Sequence, residues 1–87
     1  MTGEFAFSLA GHDKGTLYLI IREDRENVFL ADGVYKTWAA PKKKNKKHIQ
    51  TAHSDISQED MDALAANPAD ADTRIKRWIK LFCEQKQ

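Results

Sequence analysis

The chain is short of the devices that small proteins use to stiffen a thin core. Its single cysteine, Cys83, excludes an internal disulfide. Its three histidines, His12, His48 and His53, lack metal-ligand spacing, and with one thiol available no zinc set can be assembled from sequence neighbours, so neither metal nor other cofactor is expected. No apolar run approaches the roughly 20 residues that a spanning helix needs, which excludes an integral helical membrane protein. The segment Met1-Thr2-Gly3-Glu4 lacks the basic start and apolar stretch of a secretory signal. A reducing cytoplasm is the expected setting. Enzymatic signals are equally sparse. Cys83 falls within an amphipathic helical pattern, where a small packing residue is expected rather than a nucleophile. Glu59, Asp60 and Asp62 cluster where a helix would begin, and the helix macrodipole accounts for them.

What the chain does have is charge, sorted into blocks. The 87 residues are 41% apolar and 31% charged with a formal net charge of +1, the balance of a soluble globular domain. Residues 1–40 carry four basic and six acidic groups, residues 41–50 five lysines and no acid, residues 51–72 six acids and no lysine or arginine, and residues 73–87 five basic groups and one acid. The near-neutral total therefore hides two basic segments.

Two alternating apolar runs flank a glycine-bounded turn. Phe5, Phe7 and Leu9 share one face of the first run, Leu17, Leu19 and Ile21 one face of the second, and both read as half-buried strands. Between them Gly11-His12-Asp13-Lys14-Gly15 forms a turn with a basic tip, where glycine at both ends allows positive φ and close backbone approach. After the charged turn Glu23–Asn27, Val28–Ala31 resumes the pattern. Asp32-Gly33 then predicts a type I′ hairpin leading into a fourth strand, Val34–Trp38. Pro41 ends that strand, Lys42–Lys47 is expected as an exposed loop, and His48–Thr51 as a short fifth strand. Five short strands in about fifty residues suggest a small, strongly curved barrel.

The remainder is helical. Ser57 caps a helix over Gln58–Ala66, with Asp60 three residues on and Ile56 placed to staple against Met61. Asn67-Pro68 ends it and starts a second helix, on which Ala71, Ile75, Trp78, Ile79 and Phe82 form one apolar face while Arg74, Lys76, Arg77 and Lys80 occupy the other. The expected organisation is a mainly β unit over 1–51 followed by a two-helix extension over 52–87, packed on or beside it.

Gly11–Gly15, followed by Leu17-Tyr18-Leu19-Ile20-Ile21 and closed by Val28–Gly33, resembles the KOW motif, a strand–loop–strand unit of SH3-like barrels in ribosomal proteins and in transcription elongation factors of the NusG kind. With Pro41–Gln50 added, residues 4–50 are similar to small bacterial KOW-domain RNA-binding proteins related to large-subunit ribosomal proteins. The resemblance implies an SH3-like, KOW-type barrel of about five strands. Gly15 matches the motif's near-invariant glycine, and Gly11, Asp13 and Lys14 fall in the loop that touches RNA in ribosomal relatives. Relatives often carry Lys or Arg where this chain has His12 and Thr16, so the loop is expected to position the protein while the lysine segment supplies charge.

The expected RNA contacts are Gly11, His12, Asp13, Lys14, Gly15, Lys36, Lys42, Lys43, Lys44, Asn45, Lys46, Lys47 and His48. Lysines neutralise phosphates and release counterions, and the expected partner is structured, ribosomal RNA rather than a membrane. Tyr18, Phe29, Tyr35 and Trp38 are candidates for stacking on unpaired bases, although aromatics in a small barrel more often fill its core. The competing expectation is an adaptor that binds ribosomal or transcription proteins through the barrel surface or the Trp78 helix.

Overall fold

The computed structural model describes residues 1–85; residues 86 and 87, the end of the expected helical extension, lie outside the described residues. Strands β1 (Phe5–Ser8), β2 (Leu17–Glu23), β3 (Asn27–Ala31), β4 (Lys42–Asn45) and β5 (Ile49–Ala52) form one antiparallel sheet in the order β4-β3-β2-β1-β5. Helices α1 (Gln58–Ala66) and α2 (Pro68–Gln85) follow. No described helix is long and apolar enough to cross a membrane.

The alternating runs make the first three strands as expected, but they are not half-buried. Tyr18, Leu19, Ile20 and Ile21 of β2 are all buried, because the sheet carries a core on each face. Inside its curl lie Ala6, Tyr18, Ile20, Val28, Leu30 and Ile49. On the outside, Phe5, Leu19, Ile21 and Ala31 pack against Met61 and Leu64 of α1 and Ala71 and Ile75 of α2. Small residues at Ala6 and Ser8 let the inner face close up, whereas Leu9, expected on the Phe5 face, lies beyond β1 and is exposed. A register shift between Ile20 and Arg22 in β2 marks a bulge, which bends and twists the strand locally.

The second half of the sheet departs from expectation. Val34–Trp38 is not a strand, and Asp32-Gly33 is not a type I′ turn: Gly33 has φ +81°, but among the described residues no non-glycine residue has positive φ. Instead Asp32 Oδ1 accepts the backbone N–H groups of Val34, Tyr35 and Lys36, each at 2.9 Å, so a side chain takes donors that a ladder would need. The fourth strand is the lysine run itself, with Leu30 opposite Lys42 and Asn27 opposite Asn45. Lysine is a weak strand former in general, yet it is favoured on edges, where it discourages pairing with a second sheet. A 3₁₀ turn, Lys46–His48, then leads into β5. The edge strands β4 and β5 do not pair with each other, so the sheet curls without closing into the expected barrel.

The helices form where capping and periodicity place them. Ser57 Oγ accepts from Asp60 N at 3.1 Å and Asp60 Oδ2 accepts from Ser57 N at 3.1 Å, a reciprocal capping box. Pro68 is the first residue of α2, and Trp78, Ile79 and Phe82 pack on the outer core behind Ala71 and Ile75. Phe82 lies against Phe5 with ring centroids 4.5 Å apart. Cys83, expected as a packing residue, is exposed, because it falls just off that apolar face.

Candidate nucleic-acid interface

The Gly11–Gly15 turn is built by its backbone. Gly11 (φ +85°) and Gly15 (φ +89°) both take left-handed conformations. Lys14 N donates to Gly11 O at 3.2 Å, Thr16 N to Asp13 O at 2.9 Å and Gly15 N to Ser8 O at 2.8 Å. This leaves His12 and Lys14 exposed at the tip and turns Asp13 inward.

Asp13 is the hub of the region. Its Oδ1 accepts from Ser8 Oγ and Lys44 Nζ, each at 2.8 Å, and its Oδ2 accepts from the Tyr18 hydroxyl at 2.8 Å and pairs with Lys42 Nζ at 2.9 Å. Lys44 Nζ also donates to Ser8 Oγ at 2.7 Å and to Ala10 O at 2.8 Å. The side chains of Lys44 and Asp13 are only 10% and 13% exposed, so the pair is largely desolvated and its donors and acceptors are nonetheless filled. Burial pushes the Asp13 carboxyl up, but the bonds from Lys44, Lys42, Tyr18 and Ser8 outweigh it and hold the group well below the usual carboxylate range. Burial, the bond to Asp13 and the charges of Asp13 and Asp32 push the Tyr18 phenol up, so it stays a neutral donor.

This network also reports the curl. β4 and β1 stand three places apart, roughly 14 Å in a flat sheet at the usual strand spacing. Lys44 nevertheless reaches Ser8 at the end of β1.

The lysine segment therefore divides by alternation. Lys42 and Lys44 face the glycine turn, while Lys43 is exposed on the opposite side of β4, across from Phe29. Lys46 donates to Glu23 Oε1 at 3.1 Å. That bond, followed by one from Thr2 N, draws the Glu23 carboxyl down to about 2, and the N-terminal ammonium adds to the effect. Asn45 accepts from Lys47 N at 2.9 Å and caps the 3₁₀ turn, a structural task. Lys47 and His48 are exposed on that turn. Among the described residues Lys14, Lys43 and Lys47 have no ion-pair partner. Lys36 lies apart from this cluster in sequence and in element, on the segment between β3 and β4.

Of the aromatic candidates, Tyr18 is withdrawn from any stacking role: it is 3% exposed and its hydroxyl is held by Asp13. Phe29 and Trp38 pack against the outer core, Phe29 with the Arg22 guanidinium 4.9 Å from its ring centre. Tyr35 alone of the four stands free, 86% exposed. Sequence reasoning missed Ser8 as a network member and Arg25, which lines a cleft of about 260 Å³ with Glu26, Asn45, Lys46 and Lys47. Ser8 had a readable signal, a hydroxyl at a buried alternating position. Arg25 had none, since it belongs to the β2–β3 turn and meets Lys47 only through the tertiary fold.

Among the described residues no three His, Cys, Asp or Glu side chains gather as a metal centre requires. In comparisons with known proteins, no family model matches the chain and no curated protein matches it.

Proposed function

We propose that this chain is a non-enzymatic, cytoplasmic RNA-binding protein of the KOW type, its curled sheet an open variant of the SH3-like barrel. Structured RNA, ribosomal RNA in particular, is the partner. The observation that carries this reading is the Asp13 network, which ties the glycine turn to the lysine strand and so makes one surface of two segments 31 residues apart. One carboxylate faces two ammonium groups there, leaving an excess positive charge; the exposed Lys14 and Lys47 add to it, and Lys43 carries charge to the other side of β4, near Asp24. Such a surface attracts phosphates while reading little sequence, because lysines held on a strand meet the backbone rather than base edges. His12 and His48 border it, and Gly11 and Gly15 allow backbone to approach.

The test is a salt titration of binding to a purified structured RNA, comparing the wild type with Lys14→Gln, Lys43→Gln and Lys47→Gln together. The slope of log affinity against log salt flattens by about 0.7 to 0.9 for each phosphate that the variant no longer neutralises. An unchanged slope and affinity would sink the electrostatic reading.

A second reading has its own observation. Phe5, Trp78, Leu81 and Phe82 line an open groove of about 460 Å³, with Leu81 exposed at its rim. An adaptor that binds ribosomal or transcription proteins would use it. Leu81→Asp abolishing co-sedimentation with ribosomal subunits, with affinity for naked RNA unchanged, favours the adaptor.

A further inference from the structure

The segment that fails to become a strand is not loose. Three backbone N–H groups converge on Asp32 Oδ1, and Lys36 O accepts from Asp32 N at 2.8 Å and Gly33 N at 3.0 Å. The turn is also seated on α2. A Cβ at Gly33 would collide with the Asp72 carbonyl oxygen and lie 3.0 Å from Lys76 N, and Trp38 N donates to Asp72 Oδ1 at 2.8 Å. At the crest of this fixed turn stands Tyr35, the most exposed large hydrophobic side chain described, with Val34 at 54% beside it.

Topology places this crest at the same end of the sheet as the Gly11–Gly15 turn. β1 and β3 both run antiparallel to β2, hence parallel to each other. The Gly11–Gly15 turn follows β1 and the Tyr35 turn follows β3, so both leave the sheet at the same end. Lys36 is next in the chain to Tyr35, and Lys76 lies at the foot of the turn on α2.

Resting on the RNA reading above, we propose that Tyr35 stacks on an unpaired base of the bound RNA, with Lys36 and Lys76 taking phosphates beside it. An aromatic face accepts any base, and cations alongside suit the flanking backbone. A protein hot spot would need an apolar ring that excludes water, and the turn supplies only Val34. Because the turn is already ordered, stacking costs little loop entropy. The target is thus a stem with an unpaired nucleotide, rather than a duplex alone.

The experiment uses the full chain and two RNAs, a hairpin carrying 2-aminopurine as an unpaired base and a blunt duplex of the same stem. Wild type is compared with Tyr35→Ala and Tyr35→Phe. Tyr35→Ala is expected to lose the change in 2-aminopurine fluorescence and about tenfold in affinity for the hairpin. Its affinity for the duplex and its melting temperature stay at wild-type values, and Tyr35→Phe behaves as wild type. If wild type binds both RNAs and Tyr35→Ala matches it on each, stacking is overturned while the RNA reading stands. If wild type binds neither RNA, both fall. If Tyr35→Ala binds both RNAs normally but no longer co-sediments with ribosomal subunits, Tyr35 contacts protein and the stacking proposal is overturned.

Discussion

Two aspartates beside glycine turns, at the same end of the sheet, are used in opposite ways. Among the described residues the Asp13 carboxylate accepts only from side chains, two of them lysines 29 and 31 residues further along, and so fastens distant parts of the chain together. Among the described residues the Asp32 carboxylate accepts only from the backbone of its own turn, within the next four residues. The same carboxylate thus acts as a tertiary clasp in one place and as a local template in the other. The difference lies in what surrounds them: Asp13 is nearly enclosed beside a desolvated ammonium, whereas the donors on Asp32 remain close to water.

Replacing the clasp should do the most damage. Asp13→Ala leaves Lys44 nearly buried without a counter-charge, and a loss of about 3 kcal/mol in urea unfolding is expected. Lys44→Met should cost less, because Asp13 keeps Lys42, Tyr18 and Ser8. Equal losses would mean that the charge on Asp13, rather than the stranding of Lys44, decides the outcome.

Next in size is the seat of the second turn. Gly33→Ala combines a positive φ with a collision against the α2 backbone, and about 2 kcal/mol is expected by the same measurement. Asp32→Ala should cost only about 1 kcal/mol, with faster hydrogen exchange confined to the Val34, Tyr35 and Lys36 amides. Faster exchange spreading into β4 would erase the distinction between clasp and template.

Acid tests the clasp in another way. Asp13 and Glu23 titrate below their ordinary values in the folded chain, so below about pH 4 the unfolded chain binds more protons than the folded one. Their contribution is therefore complete above that pH and is lost as pH falls, through about 2 for Glu23. The urea midpoint should be flat from about pH 7 to 5 and fall below about 4. Asp13→Asn should flatten that fall more than Glu23→Gln. The smallest effect belongs to Lys14, Lys43 and Lys47: changed to Gln, each should alter stability by less than about 0.5 kcal/mol in the same assay.

The parts of the fold that depend on near neighbours were legible in the residues. Alternation placed β1 to β3, the Ser57 and Asp60 pair placed α1, and the spacing from Ala71 to Phe82 gave the buried face of α2. Lys42–Asn45 was not legible as a strand because its support comes from pairing with β3 and from Asp13, neither of which local propensity records. Asp32-Gly33 misled because a hairpin dipeptide and a side-chain-closed turn share the same letters. For the site, the glycine turn and the lysines are visible in the residues, but which lysines face inward depends on a strand that local propensity does not show. Alternation puts Tyr18 on the face opposite Leu19, and its burial there agrees with the core role that aromatics in a small, curved sheet more often have.

The outer core has a consequence for the order of synthesis. Leu19, Ile21 and Ala31 are made early, yet their partners Ala71 and Ile75 are made about forty to fifty-five residues later. Until α2 leaves the ribosome, one flank of the sheet is bare and sticky. A chain stopped at Ala52 would have every strand it needs and still carry that flank uncovered, so it should aggregate more readily than the longer chain.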